Sequence, residues 1–392
     1  MNNSEGGKKK SFILGAVCAV IVMFIIRQAV VYLPVSSYVS DPDSISAAKK
    51  TRQIMRYMDN YYLGDVDREK LADYMYLGLV AGLEDPYSTY YTKEEYESVT
   101  MTQQGEYRGI GITISTRTED GALMIISVTQ NGPAERAGIQ EGDLILKING
   151  QDFSRASTSE AAEFIRGTEN DTVEITVYRE SSEEELTFTV SLEKLESYSA
   201  AYEMLDDGIG YIGITSFTAL TPKQFDEARK ALEEQGMKGL IIDLRGNLGG
   251  LVNGVYRTLT SFMPEGLLFY TETKDGKRKE FSSDGENVLD VPMAVLVDKN
   301  TASAAEIFSG AVKDHEVAEL IGTVTYGKGI VQDAFVLADG SVVKLTVSHY
   351  YTPNGTDIHT YGITPDIVVE NTETDDLQFE KALEVIKEKI AE

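Results

Sequence analysis

The sequence predicts an α/β protein made of several parts, and three observations predict it. Apolar residues recur at helical spacing from Asp41 to about Thr102. Short runs that alternate apolar and polar residues follow from about Gln103 to Glu193, as in a mostly β module. From Lys194 onward, buried-type strands alternate with amphipathic helices, a pattern typical of a core with largely parallel strands.

A short apolar segment stands near the start of the chain. Residues 11–26, SFILGAVCAVIVMFII, follow three lysines and carry no charge. Residues 1–40 have a net charge of +3 and the remainder −30, so the positive-inside rule places the N-terminus in the cytoplasm and the bulk outside. We therefore predict, over residues 1–40, a single-pass anchor in a bacterial cell membrane, or a signal segment if it is cleaved.

Composition excludes several classes of function. The net charge is −27, and basic residues are scattered singly apart from Lys8–Lys10, so nucleic acid is not expected as a partner. The one cysteine, Cys18, lies in the apolar segment, which leaves the exported part without a disulfide or a thiol nucleophile. The three histidines, His315, His349 and His359, have no spacing suited to zinc. We expect neither a metal nor another cofactor.

Residues 41–102 are predicted to form a tyrosine-rich helical region. The pair Asp85-Pro86 interrupts the helical pattern, and Thr92 with Glu95 forms a capping box that starts a new short helix. Apolar faces of such helices usually pack against protein rather than bind a cofactor. These helices and the predicted C-terminal helix, residues 373–392, offer surfaces on which two copies could form a homodimer.

The β module, residues 103–193, carries a glycine-rich loop at Gly109, Ile110, Gly111 and Ile112. Its uncovered N–H groups can hold the terminal carboxylate of a peptide that adds a strand to the sheet. A helix from Ser159 to Arg166 would flank the peptide. With GPAERAGIQEGDLILKING between loop and helix, the order of segments resembles a PDZ domain, which implies a groove for apolar C-terminal residues.

Arg166 ends the helix beside this groove. One interpretation makes it a relay that reports peptide occupancy to the following core, and the other makes it a helix-terminal arginine favoured by the helix dipole.

In the core, residues 194–372, the ends of two strands carry residues suited to catalysis. Ser303 follows a buried-type strand and opens a helix, where unpaired backbone amides suit a developing oxyanion. The simpler interpretation is a capping box between Ser303 and Glu306. The second strand end, DLRGNLGG at Asp243–Gly250, has glycines that let backbone N–H groups approach a substrate carbonyl, although a tight turn also explains them.

Lys328 lies between two glycines in a near-match to a phosphate-binding loop. Gly329 occupies the position at which such a loop needs Ser or Thr, and the residues after it predict a β-hairpin around Asp339-Gly340 instead of a helix. A serine nucleophile without histidine needs another base, and a buried lysine can serve. At an ordinary pKa near 10.4, only about one lysine in 2,500 is neutral at pH 7.

The base therefore requires a dry site without a close carboxylate. We expect the flanking glycines to let backbone and substrate crowd the amine of Lys328, and Gln332 to orient it without adding charge.

Six segments, in this order along the chain, resemble the carboxyl-terminal processing peptidases, or tail-specific proteases. They are LEDPYSTYYTKEEYE, the PDZ-like segment, DLRGNLGG, NTASAAEI, TYGKGIVQ and YYTPNGTDIHTYGITPDI. The resemblance implies that Ser303 is the nucleophile, Lys328 the general base and Gln332 its orienting partner. It further implies an oxyanion hole made by the backbone N–H groups of Gly249 and Ala304.

The same resemblance implies a crotonase- or ClpP-like core with an inserted PDZ domain, and Leu248 stands where the family usually has proline. The predicted function is a serine endopeptidase that recognises the C-terminal tails of exported proteins. One alternative is a membrane-anchored PDZ adaptor without proteolysis. A nucleotide hydrolase that uses Gly322 to Lys328 is a third, which lacks the required hydroxyl and helix.

Overall fold

The computed structural model describes residues 42–392. The chain divides into two compact units, one ending at Tyr76 and the other spanning Leu77–Glu392. The membrane segment predicted over residues 1–40 lies outside the described residues. Within residues 42–392, no helix combines the length and the apolar character needed to cross a membrane. The first two helices are α1 (Pro42–Tyr61) and α2 (Arg68–Ala81).

Residues 89–103 confirm one prediction and correct another. Helix α3 (Lys93–Gln103) begins after Thr92, and both capping-box bonds with Glu95 are present, at 2.9 and 3.2 Å. Strand β1 (Thr89–Tyr91) interrupts the region predicted to be helical. It pairs with the strand that contains Val342–Lys344, far along the chain. Such a non-local pairing leaves no periodic signal in a three-residue segment.

The predicted β module is present and has its own hydrophobic core. In chain order its elements are β2 (Glu106–Gly109), β3 (Ile112–Thr116), β4 (Leu123–Val128), α4 (Pro133–Ala137), β5 (Leu144–Ile148), β6 (Gln151–Asp152), α5 (Thr158–Arg166), β7 (Thr172–Arg179), β8 (Glu184–Ser191) and β9 (Glu193–Glu196). One sheet has the order β3-β4-β5-β7-β8, with β6 on β5, and β2 pairs separately with β9. Strand β3 therefore lies at a sheet edge, and α5 contacts it.

The region from residue 200 onward folds as an α/β core, as predicted. Its elements are β10 (Ala200–Met204), β11 (Ile209–Ile214), α6 (Thr221–Glu234), β12 (Gly239–Asp243), α7 (Val252–Thr260), β13 (Gly266–Thr273), β14 (Arg278–Ser283), β15 (Met293–Val297), α8 (Ala304–Asp314), β16 (Glu319–Gly322), β17 (Ile330–Val336), β18 (Val342–Tyr351), β19 (Ile367–Val368) and α9 (Leu377–Ala391). One sheet has the order β10-β11-β12-β15-β16-β19. All of its neighbours except β10 and β11 are parallel.

Helices cover both faces of this sheet. Ile242 of β12 packs with side chains of α6, α7 and α8, whereas Ile241 beside it packs on the opposite face with Ile386 of α9. Because the strands are buried on both faces, they are nearly continuous apolar runs such as MAVLV in β15. The loops that follow β12 and β15 come together at the same edge, since neighbouring parallel strands end there.

A second sheet of the core has the order β1-β18-β13-β14, and β17 also pairs with β18. Strands β17 and β18 form the hairpin predicted around Asp339-Gly340, closed by a 2.8 Å hydrogen bond from Leu337 N–H to the Ser341 carbonyl. Lys328 lies just before β17, so the start of this hairpin determines where the lysine stands.

Candidate active site

Ser303 stands at a strained turn between β15 and α8. Its φ of 56° and ψ of −117° are unusual for a residue with a side chain, a strain that costs about 1–3 kcal/mol. Neighbouring hydrogen bonds hold the turn: Ala302 N–H donates to the Asn247 carbonyl at 2.9 Å, and Ser303 N–H donates to Glu306 Oε2 at 2.8 Å. A sharp strand-to-helix turn of this kind presents a serine hydroxyl at the edge of a sheet.

Glu306 joins the serine turn to the lysine loop. Its fully buried carboxylate accepts from four donors, which are Ser303 N–H at 2.8 Å, Thr325 Oγ1 at 2.6 Å, Gly327 N–H at 2.7 Å and Lys328 N–H at 2.8 Å. A buried carboxylate is tolerated when its lone pairs are satisfied in this way. The capping-box interpretation therefore gives only part of its role, because three of its four donors lie outside the helix turn.

Tyr350 of β18 makes a second connection between the same two segments. Its buried hydroxyl is within hydrogen-bond distance of the Ser303 carbonyl, at 2.9 Å, and of the Lys328 carbonyl. Burial raises the pKa of Tyr350 well above its usual range, so the hydroxyl keeps the proton that it donates. The carbonyl groups of Ser303 and Lys328 are thus fixed by one side chain.

The glycines around Lys328 are explained by close backbone packing. A methyl group added at Gly327 would lie 3.0 Å from Gly362 N, and one added at Gly329 would lie 2.4 Å from His359 N. Thr360 N–H donates to the Gly327 carbonyl at 2.8 Å. Backbone of the chain's own residues 359–362 therefore packs against these glycines, as expected, and the crowding of the amine by substrate stays a prediction.

The amine of Lys328 is half-buried beside an aromatic ring. Its Nζ lies 4.5 Å from the centroid of the Tyr87 ring. Burial, together with the charge of Lys344, lowers the pKa of Lys328, while the carboxylates of Asp85 and Glu306 act in the opposite direction. The expected dry environment is present in part, but the expectation that no carboxylate lies near is wrong.

The structure brings the segments of Ser303 and Lys328 together, but their side chains are not hydrogen-bonded to each other. No hydrogen bond joins Ser303 Oγ to Lys328 Nζ among the contacts of the described residues. The Nε2 atom of Gln332 lies 3.5 Å from both the Ile330 carbonyl and Thr346 Oγ1, and within residues 42–392 no hydrogen bond joins it to Lys328.

The two residues predicted for the oxyanion hole lie next to each other. A methyl group at Gly249, whose φ is 100°, would meet Ala304 N at 2.8 Å and the Ala302 carbonyl at 2.7 Å. Ala304 is the first residue of α8, where an N–H group has no partner within the helix. The Gly249 N–H donates to the buried Asn247 Oδ1 at 2.8 Å, so it would have to exchange this bond to serve an oxyanion. Leu248 projects into solvent, 72% exposed.

The PDZ-like loop, Gly109–Ile112, directly precedes the edge strand β3. Gly111 has a φ of 78°, and Gly109, Ile110 and Gly111 are all buried, with the side chain of Ile110 in the module's core. The Tyr107 ring lies against Gly109. Burial raises the pKa of Tyr107, and the charge of the exposed Arg166 opposes this. Arg166 is thus near the loop, and no contact joins it to Ser303 or Lys328.

The sequence pattern assigned no catalytic role to several residues of the site. Asp85 was named only as part of a helix-breaking pair, Tyr87 lay within a segment of family resemblance, and Asn247 lay within a glycine-rich turn. A local pattern could not identify them, because their partners lie on distant segments. His315 is the C-cap of α8, and its Nε2 is 2.8 Å from the Leu267 carbonyl.

Comparison with known proteins identifies relatives of both the core and the β module. Residues 208–369 match the model of peptidase family S41, and residues 98–178 match that of the PDZ domain. The chain is 37% identical over 321 residues to a carboxyl-terminal-processing protease of Synechocystis, an alignment that covers 79% of this chain and 75% of the relative. It is 36% identical to the carboxy-terminal processing protease CtpA of Bacillus subtilis, over 79% of this chain and 66% of the relative.

A solved structure, the photosystem II D1 C-terminal processing protease, is 25% identical and superposes with a TM-score of 0.50. The match covers 86% of this chain and 90% of that one. These comparisons confirm the resemblance seen in the sequence. The chain belongs to the carboxyl-terminal processing proteases, which are serine peptidases of family S41 with a PDZ domain.

Proposed function

We propose that the chain is an endopeptidase that cleaves protein substrates with a dyad of Ser303 and Lys328. The observation that carries this proposal is the Glu306 carboxylate, which binds the backbone of both residues. Tyr350 binds their carbonyl groups, so the serine turn and the lysine loop behave as one unit. The strained conformation of Ser303 and the lowered pKa of Lys328 are the properties expected of an activated nucleophile and its base.

In the proposed mechanism, the neutral amine of Lys328 takes the proton of the Ser303 hydroxyl as Oγ attacks the scissile carbonyl. The Ala304 N–H, joined by the Gly249 N–H when it leaves Asn247, stabilises the resulting oxyanion. Lys328 then gives the proton to the departing amine, which leaves an acyl-enzyme on Ser303. Water hydrolyses this ester by the same proton transfers. Gln332, four residues after the lysine, is proposed to orient the amine without adding charge.

We further propose that the PDZ domain selects substrates by their C-termini. The backbone N–H groups of Gly109–Ile112 would bind the terminal carboxylate, and the preceding residues would pair with the edge strand β3 beside α5. Apolar C-terminal residues are the expected ligands. Arg166 lies close enough to Tyr107 to respond to an occupied loop, which keeps the relay hypothesis testable.

The cellular setting is also part of this proposal. We infer an extracytoplasmic catalytic part attached to a bacterial cell membrane through residues 1–40, because of their apolar run and their positive charge. A homodimer formed through the N-terminal and C-terminal helices is also proposed. The N-terminal helices expose apolar side chains such as Tyr57 and Leu79, whereas the apolar face of α9 packs against the core sheet. The crotonase- or ClpP-like description of the core stays a prediction.

The test compares the full-length protein with Ser303→Ala and Lys328→Ala on an unfolded protein that ends in apolar residues. We expect the wild type to shorten it, and both variants to bind its C-terminal peptide but leave it intact. Mass spectrometry of the products locates the cleavage. Binding without shortening by the wild type would favour the PDZ adaptor, and turnover by Lys328→Ala would remove the lysine from the mechanism.

A further inference from the structure

The turn formed by residues 85–88 places an aromatic ring beside Lys328. Asp85 fixes this turn, since its Oδ1 accepts from Tyr87 N–H at 3.0 Å and its Oδ2 accepts from the Ser88 hydroxyl at 2.6 Å. Ser88 Oγ in turn accepts from Thr346 N–H of β18 at 3.0 Å. The turn is therefore attached to the same hairpin that follows the lysine loop.

The chain after the turn is attached as well, because Tyr90 and Tyr91 of β1 pair with Val343 and Val342 of β18. The backbone that carries Tyr87 is thus fixed by the Asp85 carboxylate and by the strand pairing that follows it. Burial, with the neighbouring Tyr326 hydroxyl, raises the pKa of Tyr87 to about 12, so the phenol stays neutral under ordinary conditions.

An aromatic face attracts an ammonium group and has no comparable attraction for a neutral amine. Lys328 Nζ lies 4.5 Å from the Tyr87 ring centroid and makes no hydrogen bond to Ser303 Oγ. We propose that Tyr87 is a positioning residue for Lys328: its ring holds the protonated lysine in a resting position, and the amine that has given its proton to water is released toward Ser303. This inference rests on the proposed role of Lys328 as the base.

Other charged groups also act on the lysine. Asp85 of the same turn and Glu306 of α8 favour its charged form, whereas Lys344 of β18 disfavours it. The ring of Tyr87 contributes both burial and an attractive face. Replacement by leucine keeps most of the apolar bulk and removes that face, so the charged form loses stability and the pKa of Lys328 falls.

The experiment measures kcat/KM against pH with an internally quenched peptide that has an apolar C-terminus. We expect the acidic limb of Tyr87→Leu to move about 0.5 to 1.5 pH units lower than that of the wild type, the range expected for a cation–π contact. Tyr87→Phe retains an aromatic face and should keep the wild-type limb. Tyr198→Leu, at a residue 79% exposed on the surface, is the matched control and should keep it too.

A merely structural role for Tyr87 would lower activity at every pH without moving the limb, and that result would overturn the inference. Should Tyr87→Leu not fold, phenylalanine analogues of increasing fluorination at position 87 weaken the ring face at nearly constant shape. The limb should then fall stepwise with fluorination, and the absence of a trend would overturn the inference. Turnover by Lys328→Ala would instead defeat the proposed dyad, whatever the Tyr87 variants show.

Discussion

Replacing Glu306 by glutamine should separate the serine turn from the lysine loop. The carboxylate oxygens accept from four donors, two at each oxygen. A glutamine keeps one oxygen as acceptor and turns an NH₂ group toward the other pair of donors. With the NH₂ group in place of Oε1, the hydroxyl of Thr325 can rotate and accept from it, but the Gly327 N–H is left unsatisfied. One such donor costs about 1–3 kcal/mol, and we expect a loss of that size in the free energy of unfolding.

The catalytic consequence follows from displacement of the two loops. A misplacement of about 1 Å in a reacting group costs roughly 100-fold in rate, and we expect a loss of that size in the acylation of Ser303. Urea unfolding followed by far-UV circular dichroism measures the stability, and release of p-nitrophenol from p-nitrophenyl acetate measures the acylation. Glu373→Gln changes an exposed glutamate and is the matched control. A Glu306→Gln variant within about 0.5 kcal/mol and twofold of the wild type would refute this account of the carboxylate.

Three further substitutions test individual contacts. Tyr350→Phe should lower the unfolding free energy by about 1–3 kcal/mol, because the hydroxyl proton shared between the Ser303 and Lys328 carbonyls is lost. Urea unfolding within about 0.5 kcal/mol of the wild type would contradict this. Gly329→Ala places a methyl group 2.4 Å from His359 N, and we expect the rate of ester hydrolysis to fall at least about tenfold. An unaltered rate would show that the loop carrying Lys328 can shift freely. Asp143→Asn breaks the buried pair with Arg179 and should destabilise the PDZ domain by about 3–5 kcal/mol, measured by its thermal unfolding, while an unchanged transition would show that the pair contributes little.

Much of the architecture could be predicted because it depends on local patterns. The Thr92 capping box, the Asp339-Gly340 hairpin and the apolar strands of the core each leave a signal within a few neighbouring residues. Strand β1 leaves none, since its pairing with β18 is decided by residues far away along the chain. The sequence therefore predicts the local elements better than the sheet order that connects them.

The same distinction between local sequence signals and tertiary contacts applies to the candidate active site. Ser303 and Lys328 could be identified from their segments, with the family resemblance giving their roles. Glu306 resembled an ordinary helix cap because its other donors, Thr325, Gly327 and Lys328, meet it only in the folded chain. The position of Tyr87 over the lysine is likewise a tertiary contact, and no spacing in the sequence encodes it.

The most direct measurement of the central claim is the pH dependence of Ser303 acylation. Burial lowers the pKa of Lys328 below 10.5, and only the neutral amine can accept the serine proton. A fluorophosphonate probe should therefore label the full-length protein faster as the pH rises, with a plateau below pH 10.5, and mass spectrometry should locate the label on Ser303. Lys328→Ala should be labelled negligibly at every pH. Equal labelling of this variant and the wild type, or a label on another residue, would contradict the claim that the neutral lysine activates Ser303.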